Sequence, residues 1–172
     1  MYELFLSPLV MASALRLMTP VLFAAMGGSF GHKAKVLCLG LESFMAFAAF
    51  FAMYGSYTFE SAYAGLLFGV LSAMIASCIF AVFVLIFKST PVIVGIALNL
   101  AAWGGTTYLL SMIFKTRGVF IDPRIKSFGS IDIPLIKDIP YIGKFLSGQN
   151  ILVYLSLVFM IIAYIIMFKT PF

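Results

Sequence analysis

Five long apolar stretches, divided by short polar turns and one long mixed segment, set the plan of this chain. Each is close to the roughly 20 residues that a helix needs to cross a bilayer, and none alternates as a barrel strand does. The first runs from about Leu9 to Phe30 and encloses Arg16 and the pair Thr19-Pro20. A proline inside a spanning helix is tolerated when neighbours satisfy the freed carbonyl, and it usually kinks the helix. Arg16 belongs near an interface, where its long stem can snorkel; alternatively, Glu3 to Arg16 lies as a helix in that interface. Gly27-Gly28 and Gly31-His32-Lys33-Ala34-Lys35 then form a basic turn, and the second span follows from about Val36 to Tyr54. Gly55 to Ser61, with Glu60, is a turn without a basic residue. The third span is about Ala62 to Phe87. Its Gly65, Gly69, Ala73, Ser77 and Ala81 recur every fourth position, a stripe on which another backbone can approach closely. Lys88-Ser89-Thr90-Pro91 reads as a helix start, with Ser89 or Thr90 as cap and Pro91 in the first helical position. The fourth span is about Val92 to Phe114, weakened midway by Gly104-Gly105, and the last is about Ile151 to Phe168. The fold class that follows is all-α, a polytopic transmembrane helical bundle of about five spans.

Lys115 to Asn150 is the one long stretch that does not span. It contains Pro123, Pro134 and Pro140 and repeats Asp-Ile-Pro at Asp132 and Asp138. Its Ile, Leu and Phe content points to a folded cap rather than a loose linker. Short loops decide orientation, because long ones translocate largely regardless of charge. Lys33, Lys35, Lys88 and Lys169 fall on one side, which is therefore cytoplasmic; Glu3, Glu60 and the long loop fall on the other. The long loop is itself more basic than acidic, against this orientation, and the short loops are given precedence.

Composition agrees with the class. The 172 residues are 63% hydrophobic and only 10% charged, against about 25% charged in a soluble domain. A net charge of +5 reports orientation and contact with membrane lipid headgroups rather than nucleic acid in such a chain. Cys38 and Cys78 fall inside apolar helices and His32 is the single histidine, which argues against a disulfide framework or a structural zinc site. No phosphate-binding loop, zinc-protease motif, nucleophile elbow or dinucleotide fingerprint is present, so no cofactor and no catalytic site are implied.

Few polar residues lie inside the spans. Glu42 is placed about two helical turns beyond Lys35, some 10 Å at 1.5 Å per residue, where an ionised carboxylate is costly without a partner or a wet cavity. It is a candidate site residue facing the bundle interior; the plainer reading is a structural acid held by a hydroxyl or by Arg16. Ser43 follows it. Gly95, Asn99, Trp103 and Thr107 are spaced by four and are placed on one face of the fourth span, as the wall of a cavity. The plainer reading of Asn99 is an interhelical hydrogen bond that serves packing alone. Thr106 and Arg16 complete this inventory, which suits a solute path better than a catalytic constellation.

Arg16-Leu-Met-Thr19-Pro20-Val-Leu-Phe-Ala-Ala-Met-Gly27-Gly28 and Gly40-Leu-Glu42-Ser-Phe-Met-Ala-Phe resemble the opening of bacterial ABC-transporter permeases. The nearest group is the simple-sugar and nucleoside branch of the ribose and branched-chain amino-acid permease superfamily. Gly95-Ile-Ala-Leu-Asn99-Leu-Ala-Ala resembles that branch's fourth span, and Asp138-Ile-Pro140-Tyr-Ile-Gly143 with Gly148-Gln-Asn150-Ile-Leu-Val-Tyr154 its external loop and next helix. Cys38 stands where the branch usually has Asn, Ser43 where it has Gly, and Trp103 where it has a small residue. The polar site is thereby altered.

The resemblance implies a permease subunit of an ABC importer for a nucleoside or simple sugar. It implies ATP-binding subunits, a second permease subunit and an external solute-binding protein as partners. Glu42, Ser43, Asn99, Trp103 and Thr107 become substrate-pathway candidates, with Trp103 able to stack on a base or sugar face. Such permeases continue past the Lys169-Thr-Pro-Phe172 region into a coupling segment and further spans, so residues 1–172 are expected to be the N-terminal part of a permease domain, with an external loop at about 115–150. The alternative is a small membrane scaffold or assembly subunit without transport of its own, whose working surface is the small-residue stripe. A membrane-embedded enzyme is the weakest option, since no second acid or nucleophile–base pair accompanies Glu42.

Overall fold

The computed structural model describes residues 8–116, 118, 120–131 and 149–169. Among these residues are five long helices, α1 (Pro8–Lys33), α2 (Leu41–Phe59), α3 (Ala62–Ala81), α4 (Pro91–Phe114) and α5 (Ile151–Lys169), with a π-helical turn at Val82–Ile86 extending α3. Ser130–Ile131 (β1) and Gln149–Asn150 (β2) pair antiparallel as a two-residue ladder. The expectation of an all-α membrane bundle holds: by length and composition four of the described helices could cross a membrane, while α2, expected as the second of about five spans, falls short of that mark. In α2 the acid at its start and the run Tyr54-Gly-Ser-Tyr-Thr58 near its end dilute the apolar character.

The residues fall into two compact units, Met1–Phe30 with Phe128–Phe172, and Gly31–Ser127. In the first unit α1 runs through Pro20 as one helix, so residues 8–16 continue into the span rather than forming a separate interfacial element. Thr19, next to that proline, is buried and donates its hydroxyl to the Leu15 carbonyl at 2.9 Å. Val153 and Ser156 are the buried positions of α5, and Phe23 meets Phe159 edge to face at 6.1 Å.

The second unit is built on the α2–α3 hairpin, with α4 packed on α2. Its helices depart from the expected bounds in an instructive way. Gly27, Gly28 and Gly31 lie within α1, which ends at Lys33, and α2 begins only at Leu41. Residues 34–40, including Cys38, are therefore a non-helical link and not the first turns of a span. At the far end α2 runs on to Phe59, past the expected turn at Gly55. Lys35, Glu60, Lys88 and Lys115, each after a helix end, all have positive φ, between 48° and 59°. This left-handed residue terminates a helix, and lysine there also complements the negative C-terminal pole.

Two further expectations change. Pro91 does open α4, and Thr90 is extended at the N-cap position, yet no side chain caps the helix there; the Thr90 carbonyl accepts from Ile93 and Val94 instead. Gly104-Gly105 does not interrupt α4, which is continuous from Pro91 to Phe114. The small-residue stripe is half right. Gly65 and Gly69 are buried, but the buried line then passes to Ala76 and Phe80 while Ser77 is exposed. At 100° per residue a four-residue step gains 40°, so a strict every-fourth stripe winds off any straight contact.

Beyond α4, the chain folds back as a cap, as its composition suggested for the described part. Phe114 and Phe120 stack at 4.2 Å, and Tyr57 of α2 meets both rings at 5.2 and 5.8 Å. Ser56 fixes the next turn twice: its hydroxyl donates to the Lys126 carbonyl and accepts from the Lys126 N–H, each at 3.0 Å. The Arg124 guanidinium lies 5.7 Å from the Tyr57 ring centre. The Asp-Ile-Pro repeat and the rest of the long loop lie outside the described residues.

Candidate functional site

The polar centre of the second unit is the joint where α2 begins against α4. The first-turn N–H groups of a helix have no partner within it. Gly40, the N-cap of α2, has no side chain with which to satisfy them. Asn99, on the neighbouring helix α4, satisfies one of them: the Ser43 N–H donates to Asn99 Oδ1 at 2.9 Å. The same carboxamide donates from Nδ2 to the Leu39 carbonyl at 3.2 Å. Ser43 itself is 0% exposed and closes the turn by donating its hydroxyl to the Gly40 carbonyl at 2.6 Å. One turn before Asn99, Gly95 lets the link touch α4 directly. A Cβ at that position would stand 3.0 Å from both Gly40 N and the Leu39 carbonyl carbon, which are backbone atoms unable to rotate away.

This geometry relocates Glu42. It is the second residue of α2, not a residue two turns inside a helix begun at Val36. Its side chain is exposed on the second unit. A carboxylate in the first turn complements the positive N-terminal pole of the helix. Asn99 lies eight residues into α4 from Pro91, or about 12 Å along the helix. The start of α2 and the end of the non-helical link, both held to Asn99, lie level with that point of α4.

Asn99 is half-buried, Trp103 is 66% exposed and Thr107 is exposed. The expected common face of Gly95, Asn99, Trp103 and Thr107 is thus not one face but a slow spiral, for the same 40° drift per step. Gly95 meets the link at Leu39–Gly40 and Asn99 the first turn of α2, whereas Trp103 and Thr107 are exposed. The Thr107 hydroxyl donates to the Trp103 carbonyl at 2.8 Å, and that of Thr106 to the Ala102 carbonyl at 2.6 Å. Of the five candidates, the structure joins Ser43 to Asn99, sets Glu42 beside them on the exposed side of the same turn, and keeps Trp103 and Thr107 together further along α4.

A second polar contact escaped the reading of the sequence. In the first unit Arg16, the sequence's possible partner for Glu42, donates from Nε to Gln149 Oε1 at 2.9 Å. Gln149 is 1% exposed and donates in turn to the Ala12 carbonyl at 3.3 Å. The available signal was an amide two residues before the last apolar run and a cation inside the first. Hydrogen bonds to charged groups are worth about 1.5–3 kcal/mol. Gln149→Leu, which removes the acceptor at nearly constant volume, is therefore expected to lower stability by about 2 kcal/mol. Thermal unfolding in detergent measures it, and a melting temperature equal to the wild type would remove this contact from the stability of the first unit.

Comparison with known proteins adds a family. The family model described as the branched-chain amino acid transport system permease component matches residues 10–172. The chain is 30% identical to the nucleoside ABC transporter permease protein NupC of Lactococcus lactis subsp. cremoris, over 95% of this chain and 53% of that protein. It is 29% identical to the guanosine ABC transporter permease protein NupQ of Bacillus subtilis, over 89% of this chain and 50% of that protein. The chain thus spans about half the length of these curated relatives. No solved structure matches it significantly.

Proposed function

The chain belongs to the branched-chain amino acid transport permease family, a family of multi-pass membrane proteins, and on that premise we propose that it forms part of the solute pathway of an ABC importer for nucleosides. The observation that carries the solute class is similarity over nearly the whole chain to two permeases named for nucleosides. By the same reading its partners are ATP-binding subunits, a second permease subunit and an external solute-binding protein. Lys35 and Lys88 face the cytoplasm, and the segment of about 115–150 is external.

The α2–α4 joint supports a pathway at this place. Non-helical backbone at membrane depth is tolerated only where protein buries it or where it lines a water-filled cavity. The link through Leu39 and Gly40 reaches that depth, and Asn99 satisfies its polar groups from one side. An exposed carboxylate at the same depth is costly against lipid, so Glu42 faces water or a polar partner. Trp103 offers an aromatic face of the kind on which a nucleobase stacks, and Thr107 a hydroxyl close by. In this assignment Glu42, Trp103 and Thr107 line the path, and Ser43 and Asn99 frame it.

Uptake of radiolabelled guanosine tests the proposal, using cells that produce the protein together with the ATP-binding subunits. Uptake suppressed by excess nucleosides but not by ribose or leucine is the expected result. Uptake unaffected by loss of the protein would overturn it.

A further inference from the structure

We propose that Asn99 is a positioning residue, acting on the pathway through the first turn of α2 rather than by touching the solute. Both of its partners are backbone groups of fixed polarity, an N–H at Ser43 and a carbonyl at Leu39, so the orientation of the carboxamide is determined. Its oxygen serves α2 as an N-cap acceptor does, but from another helix. Its nitrogen holds the link on the other side of Gly40. One side chain of α4 thereby spans the break in the chain, and the residue whose direction it fixes is Glu42, between Leu41 and Ser43. Gly95 is the second part of the device, because a Cβ there would press on the Leu39–Gly40 backbone at 3.0 Å, closer than ordinary van der Waals contact. Asparagine is required chemically: one acceptor and one donor are needed together, so Asp retains the first bond alone and Leu neither. The role as a guide for Glu42 rests on the pathway reading above; the cap itself does not.

The test is amide hydrogen exchange on the purified full chain in detergent, following peptides that contain Ser43 and Phe44, with α5 peptides as the internal reference. Asn99→Leu is expected to speed exchange at Ser43 about ten-fold, the size of a lost helix cap, without changing α5. Asn99→Asp is expected to preserve most of the protection. Gly95→Ala leaves the carboxamide in place and is expected to reproduce the faster exchange by pushing the link away. Glu42→Cys, in a background without Cys38 and Cys78, then reads direction: its alkylation rate is expected to change when Asn99→Leu or Gly95→Ala is added. Unchanged exchange at Ser43 in Asn99→Leu overturns the proposal. So does an unchanged alkylation rate at position 42, which leaves Asn99 a packing contact only. Both measurements are independent of uptake, so a protein that carries some other solute would fail the uptake experiment and still pass this one.

Discussion

Gly65→Leu is expected to separate α2 from α3 and to cause the largest stability loss of any single substitution in the second unit. A Cβ at Gly65 would lie 2.8 Å from the Ala52 carbonyl oxygen and 3.0 Å from Ser56 Cβ. At Gly69 it would lie 3.0 Å from Ala52 Cβ and 3.1 Å from the Ala48 carbonyl oxygen. These neighbours are helix backbone and methyl-sized groups, so no rotamer change relieves the overlap and the helices themselves must part. Gly55 makes the same demand from the other side, against Phe68 Cβ at 2.9 Å. In a membrane, helices gain little from apolar burial and depend on such close approach. Overpacking in well-packed regions costs about 1–3 kcal/mol; leucine at Gly65 adds four carbons and belongs at or above the upper end, with Gly69→Leu close behind. Leu67, 56% exposed, is the control, and Leu67→Ala is expected to shift the melting temperature little. Thermal denaturation in detergent compares the three, and equal melting temperatures would remove the glycine contact as the basis of the hairpin.

That contact was legible in the sequence in part, and the part that was missed has a geometric cause. Small residues spaced by four marked the right helix and the first two contact positions. The buried line then followed a seven-residue step from Gly69 to Ala76, as a seam that steps by three and four in turn does. The outer limits of α3, α4 and α5 were legible because each is set locally, by an apolar run with a Pro or a polar turn beside it. The start of α2 was not. Val36 to Gly40 is as apolar as a helix, and what stops it being one is the left-handed turn at Lys35 together with an amide 59 residues beyond Gly40. A long-range cap leaves no mark in a local window. The same holds for the site: Ser43 and Asn99 were visible as polar residues in apolar surroundings, but their bond to each other was not. Gln149 was passed over because it stands at the edge of a loop, where an amide is ordinary.

Glu42→Ala is expected to reduce solute uptake at least ten-fold in cells that hold the complete transport system, while the protein still inserts and assembles. The joint fixes the relevant depth: Ser43 is tied to Asn99, about 12 Å along α4 from Pro91 by helical rise, and Glu42 is its neighbour in the same turn. A bilayer's hydrocarbon core is about 30 Å thick, so on the pathway reading, with Pro91 at the membrane surface, this carboxylate is expected below the headgroups. Its exposure on the second unit is therefore affordable only towards water or a polar partner, and a solute path supplies both. Folding asks little of it. A carboxylate in a first turn contributes about 0.3–1 kcal/mol through the helix pole, and the Ser43 N–H and the Leu39 and Gly40 carbonyls find their partners in Asn99 and the Ser43 hydroxyl without it. The two effects therefore separate: uptake should fall far more than thermal stability. Glu42→Gln keeps an acceptor and adds a donor without the charge, and partial recovery in that variant would assign the role to hydrogen bonding. Uptake as low as in the alanine variant would assign it to the negative charge. Normal uptake in Glu42→Ala would remove Glu42 from the pathway and return it to a structural acid at the start of α2.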